Sequence, residues 1–206
     1  MAALLSNFRN TVIVSCLLAL ALIIAFVPQS NIAESPHEIL AHAGMRWLHV
    51  FFGILWIGLL YYFNFVQIRT MPKIPDELKP AVGKFIAPEA LFWFRWAALL
   101  TLATGILVAV GRGYLVDAYL LGALGGGPGT TFIGIGMWLA TIMFINVWFV
   151  IWPNQQRALN INNAYPDLKP EEKQKAARTA MLFSRTNMLL SIPMLAAMAM
   201  RQTMWG

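Results

Sequence analysis

Charge is scarce in this chain: Asp, Glu, Lys and Arg together make only 12% of its 206 residues. A water-soluble domain carries about twice that share, so a soluble globular fold is excluded. No polar stretch exceeds about thirty residues, too short for a separate soluble domain. Cysteine is almost absent. With Cys16 alone, an intrachain disulfide, a four-cysteine metal site and a CxxCH haem attachment are all ruled out. The glycine-rich segment Gly125-Gly126-Gly127-Pro128-Gly129 lacks a following Lys-Ser/Thr, so it is a flexible turn and not a phosphate cradle. The net charge of +6 does not indicate nucleic acid, because the basic residues sit in short loops between apolar runs.

What is present is apolar length: 59% hydrophobic residues and a mean hydropathy of +0.63. The hydropathy pattern predicts a single all-α membrane domain, 1–206, a polytopic bundle of five transmembrane helices at about 9–28, 45–67, 91–111, 131–152 and 183–201. Each is long enough for a hydrocarbon core of roughly 30 Å. The first run follows Arg9 and contains Ile13-Val14-Ser15-Cys16, which looks like a lipoprotein cleavage box. The apolar stretch follows the cysteine, so the run is expected to be a retained helix. Between the spans lie an acidic segment (Glu34, Glu38), a Pro/Lys loop from Ile68 to Ala90, the glycine-rich turn and a polar loop from Asn154 to Leu182.

Basic residues fall unevenly between the two sides. Arg9, Arg69, Lys73, Lys79, Lys84, Arg95, Arg157, Lys169, Lys173, Lys175, Arg178 and Arg185 share one side, while Arg46, Arg112 and Arg201 take the other. Twelve against three predicts a cytoplasmic N-terminus and a periplasmic C-terminus. Pro75-Asp76-Glu77-Leu78-Lys79-Pro80 and Pro166-Asp167-Leu168-Lys169-Pro170 echo each other across the two cytoplasmic loops. They read either as a duplicated hairpin or as two independent helix-starting turns. In the first case the second copy has lost its histidine.

His49 is the one histidine of three inside a membrane span. An ionisable side chain there is costly and marks a site by default. Gly53 and Trp56 follow on the same helical face, with Arg46 one turn before. Two readings stay open. In one, a small residue and an indole make room for a flat ligand such as haem, with His49 as metal ligand. In the other, glycine lets two helices approach and histidine bonds across them. At similar depth on the last helix stand Met194, Met198 and Met200, of which Met194 and Met198 are candidate second ligands; bis-histidine ligation would instead need His37 or His42. The outer arginines Arg46, Arg112 and Arg201 suit haem propionates or lipid phosphates. Asn187, Ser191 and Met194 form a polar stripe expected to hold helices together. Arg95, between Trp93 and Trp96, is expected to anchor the cytoplasmic interface.

Several motifs occur in order along helices two to five: Arg46-Trp47-Leu48-His49-Val50 with Gly53, Trp56-Ile57-Gly58 and Tyr62-Phe63; Trp93-Phe94-Arg95-Trp96 with Thr104-Gly105; Ile151-Trp152-Pro153-Asn154-Gln155; and Ser184-Arg185-Thr186-Asn187-Met188-Leu189-Leu190-Ser191-Ile192-Pro193-Met194. This set resembles the membrane domain of the bacterial cytochrome-c-linked urate oxidase family. A more distant likeness is to small histidine-bearing membrane haem proteins of the protoporphyrinogen-oxidase type. The resemblance implies a membrane redox domain with His49 as haem ligand, followed by a periplasmic cytochrome c domain. This chain is shorter than the usual membrane domain and carries no CxxCH, so the expectation is a stand-alone form with a separate electron acceptor.

Three functions are thus expected in turn. The first is a haem-b membrane electron carrier or oxidoreductase subunit passing electrons toward a periplasmic cytochrome, in the bacterial inner membrane. The second is a haem-free accessory subunit of a larger respiratory or oxygenase complex. The third is oxidation of urate or a similar purine.

Overall fold

The computed structural model describes residues 5–26 and 35–205, without the side chains of Pro36, His37, Ile39 and Leu40. Every regular element among the described residues is helical. Five helices are long and apolar enough to cross a membrane: α1 (Phe8–Phe26), α2 (Ala41–Lys73 within a helix that begins at Pro36), α3 (Lys79–Gly111), α5 (Gly127–Leu159) and α6 (Pro170–Trp205), with a short α4 (Leu115–Tyr119) between α3 and α5. The chain divides into two compact units, Met1–Trp47 and Leu48–Gly206.

In the first unit, Asn7 caps α1 by accepting the Asn10 backbone N–H on its side chain at 3.2 Å. The α2 helix starts with a capping box. Pro36 takes the first helical position, and the Glu38 carboxylate accepts from the Ser35 N–H (3.0 Å) and hydroxyl (2.6 Å). Glu38 and His42 are therefore helical, not part of an outer loop. Glu34, residues 27–28 of the first expected span and the His37 side chain lie outside the described residues.

The second unit is a ring of four helices. Phe63 of α2 meets Phe94 of α3 edge to face. Trp148 of α5 donates to the Arg95 carbonyl of α3 at 3.2 Å. Asn146 of α5 donates to Asn187 of α6 at 2.9 Å, and Asn187 donates in turn to the Met143 carbonyl at 2.9 Å. Asn64 of α2 donates to Ser184 of α6 at 3.0 Å, and Ser191 reaches Tyr61 at 3.3 Å. The polar stripe expected on the last helix thus closes the ring, and Asn187 and Ser191 are fully buried. Its centre is the apolar core of Trp56, Leu60, Phe94, Met143 and Val147. The outward faces keep exposed Leu, Ile and Phe, as lipid contact requires.

The helices overrun their apolar windows. Much of the Ile68–Ala90 and Asn154–Leu182 loops is helical, because backbone pairing continues into water where hydropathy no longer reports it. Three π turns interrupt these helices: Val82–Ile86 in an overrun, and Tyr62–Gln67 and Asn146–Ile151 at the ends of their apolar windows. Pro88 and Pro153 each stand two residues beyond one of them. A proline lacks the N–H that the carbonyl four residues back would accept and crowds that carbonyl with its ring; widening the preceding turn accommodates both. No proline lies that close to Tyr62–Gln67.

Both Pro-Asp…Lys-Pro turns end in a helix start at their Lys-Pro step. At the second, Glu172 accepts the Lys169 N–H at 3.1 Å. The approach to it runs through Asn160, Asn162 and Asn163, all at positive φ (49°, 57° and 56°), a backbone region asparagine tolerates better than most residues. The two hairpins, α2–α3 and α5–α6, share a π turn in the descending helix and a Pro-Asp…Lys-Pro turn at the base, in keeping with the duplicated-hairpin reading.

Candidate functional site

Residues Ala97 to Gly105 of α3 make the seat for His49. Thr101 folds its hydroxyl back onto the Ala97 carbonyl at 2.7 Å, and the Thr104 hydroxyl donates to the Leu100 carbonyl at 2.6 Å, with a longer contact of 3.2 Å to the Thr101 carbonyl. The Thr101 carbonyl then accepts from His49 Nδ1 at 2.9 Å. A carbonyl oxygen only accepts, so Nδ1 carries a proton, and in the neutral form of the ring the lone pair is on Nε2. Among the described residues Nε2 has no hydrogen-bond partner.

Glycine supplies the clearance, but from the opposite helix. A Cβ at Gly105 would stand 2.7 Å from His49 Cε1 and 3.0 Å from Nδ1, whereas one at Gly53 would meet only Thr101 Cγ2 at 3.8 Å. The Nδ1–Cε1 side of the ring therefore lies closest to Gly105, and Gly53 serves the approach of α2 to α3. Gly105 is the residue that spacing along one helix could not identify; the signal was its depth on the third helix, level with His49.

The remaining expected residues separate. Trp56 is completely buried in the core, and its indole N–H has no acceptor. It fills the bundle beneath His49 and does not border an open cleft. Met194 is 5% exposed in the same core. Met198 runs along α5, its methyl 3.4 Å from where a Gly136 Cβ would stand. No described contact joins either methionine to His49. Arg46 is exposed and belongs to the first unit. No cluster of three or more His, Cys, Asp or Glu suited to a metal ion occurs among the described residues.

The arrangement fits a group needing one neutral imidazole. A ring nitrogen tied to a backbone carbonyl is how metal-binding histidines are commonly oriented, the bond fixing tautomer and ring plane and raising the basicity of the other nitrogen. It does not present a second ligand from α6. Comparison with family models, curated proteins and solved structures finds no match for this chain.

Proposed function

We propose that this chain is an inner-membrane redox subunit in which His49 Nε2 ligates a b-type haem, with electrons passing toward a separate periplasmic cytochrome. The observation that carries the reading is the Nδ1–H bond to the Thr101 carbonyl with Nε2 left unpartnered. Haem would supply one-electron chemistry there. The chain's own contribution is to fix Nδ1–H on the Thr101 carbonyl and to seat the ring against Gly105. The basic-residue count supports an orientation with the N-terminus cytoplasmic and the C-terminus periplasmic, which puts His49 near the periplasmic surface.

A haem-free accessory role is the second reading, and a specific observation favours it. The histidine already bonds across a helix interface over a glycine, as a packing residue would. Urate-type oxidation rests on the motif resemblance alone.

The visible spectrum of the protein purified in mild detergent decides between the first two. The haem reading expects about one acid-extractable haem per chain and a Soret band that His49→Ala removes or strongly shifts, with the variant still membrane-inserted. Wild-type protein without stoichiometric haem, or an unchanged spectrum in the variant, overturns it. A reporter fused after Gly206 that is active only in the cytoplasm overturns the orientation. A lone monomer that turns over substrate with no added cytochrome overturns the need for a partner.

A further inference from the structure

Arg95 stands five residues inside the apolar run that begins at Ala90 on α3. A guanidinium at such a position is expensive unless a counter-charge or a polar cavity meets it. The nearest acid on its own helix, Glu89, is engaged in accepting the Trp93 indole N–H at 2.9 Å. No ion pair or hydrogen bond to the Arg95 side chain occurs among the described residues, and Nε is buried without a partner.

What surrounds the group is aromatic. Its carbon lies 3.9 Å from the Trp152 ring centre, 5.1 Å from Trp148 and 5.7 Å from Trp96. Two of these indoles come from α5, and Trp148 is itself fixed by donating to the Arg95 carbonyl. The Arg95 guanidinium carbon sits over the Trp152 ring, a cation–π contact. Contacts of this kind hold the guanidinium in place and leave its N–H donors unsatisfied. A planar fork of N–H donors matches the paired oxygens of a phosphate.

From this geometry we infer that Arg95, Trp96, Trp148 and Trp152 form a binding site for the phosphate of an anionic lipid headgroup. The depth selects a lipid over a free phosphate. The guanidinium is reached from within the apolar run, the exposed Trp96 and Phe92 offer acyl chains an apolar path, and indoles favour the level of the headgroups. The basic excess on this side of the bundle adds attraction for anionic lipid. The inference stands apart from the haem reading, since it uses none of the residues around His49.

Native mass spectrometry of the detergent-solubilised full chain, titrated with phosphatidylglycerol or phosphatidylcholine, tests it. One phosphatidylglycerol is expected to bind at least about tenfold more tightly than phosphatidylcholine. Arg95→Gln should remove that preference, and Trp152→Leu should weaken binding several-fold. Arg185→Gln, an exposed basic residue on α6, should leave it unchanged. If Arg95→Gln fails to insert, Trp152→Leu and Arg95→Lys carry the test, with weaker binding expected in both. Wild-type binding in these variants overturns the site. Displacement of the lipid by millimolar inorganic phosphate overturns the lipid as its ligand. A co-purifying protein that is lost with Arg95→Gln, with no lipid preference in the wild type, overturns it in favour of a partner carboxylate.

Discussion

The α2–α3 and α5–α6 hairpins have the same outline but dispose of their polar groups in opposite ways. In α5–α6, Asn146, Asn187 and the Met143 carbonyl satisfy one another inside the bundle. In α2–α3, His49 keeps a free nitrogen, and Arg95 finds no anion. Buried polar groups that pair completely hold helices together, whereas a donor or acceptor left over carries a desolvation cost that calls for an explanation. The second hairpin is on this comparison the structural partner, and the first is the one that keeps unpaired polar groups.

The largest expected effect lies in the structural half. Gly134→Ala would put a methyl 2.0 Å from the Ala118 carbonyl oxygen. Backbone cannot rotate aside as a side chain does, so the substitution should cost about 3 kcal/mol or more. Detergent–SDS unfolding would show it, and near-wild-type stability would mean that α4 does not pack on α5 as described.

Asn187→Ala comes next. It removes both amide bonds and strands the Asn146 amide in a dry interior, for an expected loss of about 1–2 kcal/mol. A double change of Asn146 and Asn187 to leucine should recover part of this, since no polar group is then left unpaired. If the single change is neutral, the division between the hairpins fails.

Within the first hairpin the two glycines make a matched pair. Gly105→Ala must push the His49 ring away and break its bond to Thr101, at about 1 kcal/mol. Gly53→Ala makes an ordinary 3.8 Å contact and should change little. The same pair should differ in the haem spectrum, Gly105→Ala shifting it and Gly53→Ala not. The reverse order would restore the role that helical spacing assigns to Gly53.

The smallest effect is expected at the base of that hairpin. The Lys79 hydrogen bond and charge hold the exposed Asp76 carboxyl below its ordinary value. A depressed folded pKa contributes stability that is present above the unfolded value and fades as pH falls through the folded one. Asp76→Asn should therefore leave stability at neutral pH close to that of wild type, because the pair is screened by solvent. Any difference should vanish only in strong acid, below the usual carboxylate range. A clear loss at neutral pH would show that the turn matters more to the fold than its exposure implies.

Five apolar runs, the position of His49 inside one of them and the polar stripe on the last were legible without coordinates. Each is a property of residues close in sequence, and a bilayer forces such stretches to be helical by denying unpaired backbone any water. The capping boxes, π turns and overrun helix ends were not, because hydropathy measures burial in lipid and is silent about backbone pairing in water. Neither was the neighbour of each polar group. That Gly105 rather than Gly53 clears the imidazole, that Met194 and Met198 turn toward the core and α5, and that Trp148 and Trp152 close over Arg95 all depend on which helix lies beside which. Helical spacing defines a face, and only the assembled bundle says what that face meets.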